Sequence, residues 1–144
     1  YPRRSWVPSG IDHMNIVVLD SDNLAGDADF PEVALQKYGW LQYVETNQEL
    51  VGERCWRSDI IVTVSTMIDR AVIDKAFKLK LIIAACGSYD HIDLDAARER
   101  GIKVCNVPDS APAKTEDTGR ICQQVVDIIN AFLQGAERNL VPEG

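Results

Sequence analysis

The chain has 144 residues, 46% hydrophobic and 26% charged, with a formal net charge of −7. That balance suits a single soluble globular domain and excludes a disordered one. The acidity, with no basic cluster beyond Arg3-Arg4, argues against a nucleic-acid-binding face, and no apolar run approaches the roughly 20 residues of a membrane span. Four cysteines, Cys55, Cys86, Cys105 and Cys122, lie far apart in apolar segments without a CxxC pair, and there are two histidines. This speaks against a metal site or a disulfide scaffold and for reduced thiols in a cytoplasmic protein.

Residues 1–13 lack periodicity and hold Pro2, Pro8 and the two arginines; they read as a leader or a remnant of an expression vector. A natural arm would instead pack Trp6 against the domain. From Met14 onward the pattern is regular. Ile16–Leu19 is a short continuous apolar run, the signature of a strand buried on both faces. Pro31 to Tyr38 predicts a helix, with proline in its first turn and Gly39 as its stop. Gln42–Glu45 alternates and predicts a half-exposed edge strand. A helix over Asn47–Arg57, capped by Asn47, leads to a second buried strand, Ile60–Val64. Asp69–Leu79 follows as a helix with an acidic cap, then the strand Leu81–Ala85, a helix over Asp93–Arg100 closed by Gly101, and the strand Val104–Val107. Asp109–Gly119 is small, polar and charged, and reads as a connector. The last helix, Arg120–Gln134, aligns Ile121, Val125, Ile128, Ile129 and Phe132 on one stripe and ends at Gly135. Five strands alternating with five helices predict an α/β fold: a flavodoxin-like, doubly wound, five-stranded parallel sheet in three α/β/α layers.

Ligands of such sheets sit beyond the carboxyl ends of the strands. Asp20 and Asp22 could imitate the acidic pair of a phosphate-acceptor receiver, but the third strand ends in Ser65-Thr66 and the fifth in Val107-Pro108, so the acceptor aspartate and its lysine are missing. Four aspartates between Asp20 and Asp29 would repel a flavin phosphate. No G-x-G-x-x-G opens any helix, so no dinucleotide fingerprint is present.

The block Leu81–Pro108 carries a strand ending at Gly87, then His91-Ile92-Asp93, Ala96-Ala97, Arg100-Gly101-Ile102 and Asn106-Val107-Pro108. It resembles the substrate-binding (catalytic) domain of the D-isomer-specific 2-hydroxyacid dehydrogenases, closest in flavour to glycerate dehydrogenase/hydroxypyruvate reductase. Met14–Asp20, Asp59–Thr66 and the tail Arg120–Gly135 with Arg138–Val141 extend the resemblance. In that family an entire NAD(P)-binding domain is inserted between the Asn-Val-Pro strand and the C-terminal helix. Here the gap is only Asp109–Gly119. The resemblance therefore implies a substrate domain over 14–108, a connector over 109–119 in place of the nucleotide-binding domain, and a helix and tail over 120–144 that complete the first unit.

The family's catalytic arginine, glutamate and histidine and its cofactor loop belong to the missing segment. The resemblance thus implies no catalytic, cofactor-binding or metal-binding residues in this chain, and no hydride transfer by the chain alone. What it carries over is contact with the substrate carboxylate at Cys86, Gly87 and Ser88, through backbone N–H groups after the fourth strand. Gly87 could equally serve only the strand-to-helix turn. The implied ligand is a small 2-hydroxy or 2-oxo acid, bound weakly, by a monomer or a helix-swapped homodimer. Bland roles suit the other candidates: His91 orienting its turn through a hydrogen bond, Asp93 capping its helix, Cys86 and Cys105 as core thiols, Trp40 and Trp56 as packing residues, Asp127 on a solvated face. A stand-alone small-acid sensor or interaction module is the alternative, distinguished by tight binding of the acid without NADH.

Overall fold

The computed structural model describes residues 13–24, 30–31, 33, 37–86, 89–107 and 115–134. Strand β1 (His13–Val18) is followed by a 3-10 turn (Ser21–Asn23), β2 (Lys37–Gln42), α1 (Gln48–Cys55), β3 (Ile60–Thr63), α2 (Arg70–Lys75), β4 (Leu81–Ala84), α3 (Leu94–Glu99), β5 (Lys103–Asn106) and α4 (Thr115–Leu133). The sheet runs β2-β1-β3-β4-β5, and every pairing is parallel. The order reverses at β1, as the flavodoxin-like reading requires.

Alternation along the strands divides the core into two layers. Ile16, Val18, Trp40, Ile60, Val62, Leu81, Ile83 and Cys105 face one side, where Ile121, Cys122, Val125, Ile128 and Ile129 of α4 cover them together with Leu24, Phe30 and Val33. Val17, Leu19, Ile61, Ile82, Ala84 and Val104 face the other, against Val51 and Cys55 of α1, Val72 and Ile73 of α2, and Ala96 and Ala97 of α3. Continuous apolar runs in β1, β3 and β4 are thus the consequence of helices on both faces, and burial of each Ile, Leu or Val contributes about 1.5–3 kcal/mol.

Caps follow the sequence closely. The Asp69 carboxylate accepts from the N–H of Val72 at 3.0 Å, and that of Asp93 from Ala96 at 3.0 Å. Asn47 occupies the N-cap of α1, but its side chain makes no capping bond. Gly101 adopts φ 69° just after α3, the left-handed turn that only glycine takes without strain.

Two elements depart from expectation. The helix predicted over Pro31–Tyr38 is replaced, wherever the stretch is described, by irregular chain at Phe30, Pro31 and Val33 and by strand at Lys37 and Tyr38. The strand expected over Gln42–Glu45 lies five residues earlier, as β2. Pairing with β1, from His13↔Lys37 to Val18↔Gln42, overrides the local signals: Trp40 is fully buried, its ring 5.3 Å from Phe30, and this core contact needs an extended chain. The second departure is at the connector. Thr115–Gly119 are helical, so α4 begins five residues before Arg120, with Thr118 buried despite the absence of apolar periodicity. Residues 109–114 lie outside the described residues.

Of the supposed leader, 1–12 also lie outside the described residues, whereas His13 opens β1. Trp56, expected as a packing residue, ends α1 with 41% exposure and its ring 6.2 Å from that of Phe77. Among the described residues no helix is long and apolar enough to cross a membrane.

Candidate substrate site

The carboxyl ends of β1, β3, β4 and β5 form one edge of the sheet, held in register beyond the strands themselves. Leu19 donates to the Val62 carbonyl (3.1 Å), Ala85 to that of Thr63 (2.8 Å) and Val107 to that of Cys86 (3.1 Å). Cys86 is buried, and its thiol donates to the Val64 carbonyl at 3.2 Å. Cys86, the first residue of the expected carboxylate contact, is therefore fixed from two neighbouring strands. Gly87 and Ser88 lie outside the described residues.

Asp20 dominates this edge. It is 1% exposed, and its carboxylate accepts from the N–H groups of Val64 (2.8 Å), Ser65 (2.8 Å) and Thr66 (3.0 Å) and from Asn23 Nδ2 (2.8 Å). Asn23 reaches on to Ser65 Oγ (2.9 Å), and Thr63 Oγ1 donates to the Thr66 carbonyl (2.9 Å). Sequence reasoning weighed Asp20 only as half of an acidic pair. The structure makes it an internal anion that shapes the β3–α2 loop. The Asp20-Ser21-Asp22-Asn23 stretch, whose side chains readily bond nearby backbone, was the available signal.

His91 stands on the turn into α3. Its carbonyl accepts from the N–H of Ile68 (2.8 Å), and Asp93 donates to the Ile68 carbonyl (2.9 Å), which stitches the β3–α2 and β4–α3 loops together. The turn is thus oriented by the backbone of His91. Its ring Nε2 is buried without a hydrogen-bond partner. Burial lowers the pKa of the imidazole, opposed by the negative charges of Asp20 and Asp90.

The loop amides of Val64, Ser65 and Thr66, which could otherwise cradle a pyrophosphate, are already taken by Asp20, whose charge would oppose one.

The family model for the catalytic domain of the D-isomer specific 2-hydroxyacid dehydrogenases matches residues 17–142, taking in both the sheet and the C-terminal helix. The chain belongs to this family. D-3-phosphoglycerate dehydrogenase of Methanocaldococcus jannaschii is 45% identical over 67 residues, which make up 46% of this chain and 13% of that protein. Glyoxylate reductase of Pyrococcus horikoshii is 34% identical over 79 residues, 54% of this chain and 24% of that one. Among solved structures, NAD+-bound 3-phosphoglycerate dehydrogenase of Entamoeba histolytica superposes with a TM-score of 0.52 at 25% identity, covering 65% of this chain and 32% of that one. The chain spans less than a third of the length of each of these dehydrogenases.

Proposed function

We propose that this chain is the substrate-binding part of a D-2-hydroxyacid dehydrogenase, which holds the carboxylate of a small 2-hydroxy or 2-oxo acid at the turn Cys86-Gly87-Ser88 and transfers no hydride by itself. The observation that carries the reading is the double tether of Cys86, through its thiol to Val64 and through its carbonyl to Val107. Pinning Cys86 in this way fixes where the strand ends, and a glycine at 87 permits close approach of an anion. In this reading 109–119 takes the place of the nucleotide-binding domain. The chain then lacks the cofactor and the acid–base group that hydride transfer needs. Tight recognition also needs surface that a severed domain does not supply, so the acid binds in the millimolar range, about −4 kcal/mol. The working state is a monomer.

A backbone amide NMR titration with hydroxypyruvate or D-glycerate, repeated with NADH, tests the proposal. The expected result is weak, saturable shifts confined to residues 86–90 and indifferent to NADH. Micromolar binding of the acid alone would favour a stand-alone sensor, and shifts produced by NADH would overturn the claim that this chain holds no cofactor site.

A further inference from the structure

The opposite edge of the sheet, where helices return to strands, differs in character from the substrate edge. Segments 55–59, 74–80 and 98–103, which precede β3, β4 and β5, hold seven of the chain's 15 lysines and arginines and three of its 22 acidic residues. The rest of the sequence has eight basic residues against 19 acidic ones. The amino edge of β3, β4 and β5 is therefore net basic in a chain that is net acidic.

Two aromatic rings lie in the middle of that basic edge. Trp56, 41% exposed, and Phe77, 58% exposed, close the α1–β3 and α2–β4 connections and meet with ring centroids 6.2 Å apart, tilted by 34°. Arg57 covers the Trp56 ring at 5.3 Å, and Lys78 lies 5.7 Å from the centre of Phe77. Arg100 donates to the carbonyls of Ile73 and Phe77, which fixes its guanidinium against the α2–β4 connection. Among the described residues none of these three cations is in an ion pair with a carboxylate. Neighbouring Lys80, by contrast, is bonded to Asp59 at 2.9 Å. Exposed tryptophan and arginine with an adjoining apolar ring are the residues that dominate protein–protein contacts, because they bury large area at little entropic cost.

We propose that the Trp56–Phe77 pair with Arg57, Lys78 and Arg100 is a docking surface for an acidic polypeptide segment, whose apolar side chain lies on the two rings while flanking carboxylates pair with the cations. Charge complementarity selects this occupant: the net charge of −7 opposes a long polyanion such as a nucleic acid, whereas a short acidic segment needs only the basic edge. The site stands apart from the substrate edge, so its fate is independent of the carboxylate site.

The test uses the isotope-labelled 144-residue chain and an eight-residue peptide in which a central Leu-Phe pair is flanked by three glutamates on each side. Shifts are expected at the Trp56 indole N–H and at the amides of Arg57, Phe77, Lys78 and Arg100, weakening at least about fivefold between about 50 mM and about 500 mM salt. Phe77→Ser and, independently, Lys78→Glu, both at solvent-facing positions, weaken binding about tenfold while leaving the rest of the amide spectrum in place. A peptide with glutamines for glutamates should bind far more weakly. No shifts at these residues, equal affinity for the glutamine peptide, tighter binding of a twelve-nucleotide oligothymidylate, or self-association through the same residues without peptide would each overturn the proposal.

Discussion

The carboxylate of Asp20 and the backbone N–H of Val64 meet at 2.8 Å across 44 residues of sequence. With the Ser65 and Thr66 amides added, one buried side chain takes the place of a whole turn of hydrogen bonding at the switch point of the sheet, where strand order reverses. Both ends of β3 are tied in this manner. At its amino end the Asp59 carboxylate, likewise buried, accepts from the Asn15 N–H at 2.8 Å.

Replacing Asp20 by alanine strands three loop N–H groups and Asn23 Nδ2. Hydrogen bonds to a charged acceptor contribute about 1.5–3 kcal/mol, and unpaired buried donors are costly in themselves. Asp20→Ala is expected to lower stability by about 3 kcal/mol in urea unfolding, with Asp20→Asn intermediate because it keeps one acceptor oxygen. A loss below about 1 kcal/mol would mean that water replaces the carboxylate without cost.

His91 gives the protein a pH dependence of definite sign. Burial holds its pKa below the ordinary value of 6.5, with the charges of Asp20 and Asp90 acting the other way. The unfolded chain therefore binds a proton more readily than the folded one in the window between the two values, and stability rises with pH there. The contribution is complete above about pH 6.5 and is lost as pH falls toward the folded value. Urea midpoints measured from pH 8 to pH 5 should decline below about pH 6.5, and the slope should shrink in His91→Gln. A ring titration by NMR at or above 6.5 would contradict the burial argument.

What could be read without coordinates has a physical boundary. β1, β3 and β4 declare themselves because burial on both faces favours continuous apolar runs, and the edge strand β5 does so through its buried Val104-Cys105 pair. Asp69, Asp93 and Gly101 declare helix ends because capping is local. β2 does not, since it is an edge strand whose residues Lys37–Gln42 take their conformation from β1 and from the Phe30–Trp40 contact, while Pro31 and Gly39 mimic the punctuation of a helix. The early start of α4 is hidden for a related reason: Thr115–Gly119 have no stripe of their own and extend a helix nucleated by the stripe beyond them. At the site, the block ending in Cys86 was legible as a pattern. The role of Asp20 was not, because its three backbone partners lie 44–46 residues away.

The cysteines supply a kinetic probe. All four are buried thiols outside any disulfide, and burial pushes the Cys55 thiol up to about 12, against the smaller downward pull of Arg54. Thiolate is the reactive form, so Cys55 is inert in the native state. Labelling by an aromatic disulfide at pH 8 should be slow and should rise in step with denaturant-induced opening. Rapid stoichiometric reaction of the native chain would show that the α1 layer opens locally.

Whether α4 belongs to the same cooperative unit as the sheet is decided at Ile128. It is 1% exposed and packs in the layer formed by β1, β3 and β4. Ile128→Ala removes packing atoms and should cost about 2–5 kcal/mol with one cooperative transition retained. Ile128→Asp adds a buried charge without a partner, whose penalty exceeds that of the cavity alone. Against a total stability of about 5–15 kcal/mol for a domain of this size, the aspartate variant should either unfold or release α4 and expose the apolar face of the sheet. Release would appear as lost helical circular dichroism with the sheet amides still protected from exchange, together with a concentration-dependent dimer if two copies trade helices. A cooperative melt of Ile128→Asp indistinguishable from that of the parent would show that the helix contributes nothing to the core it covers.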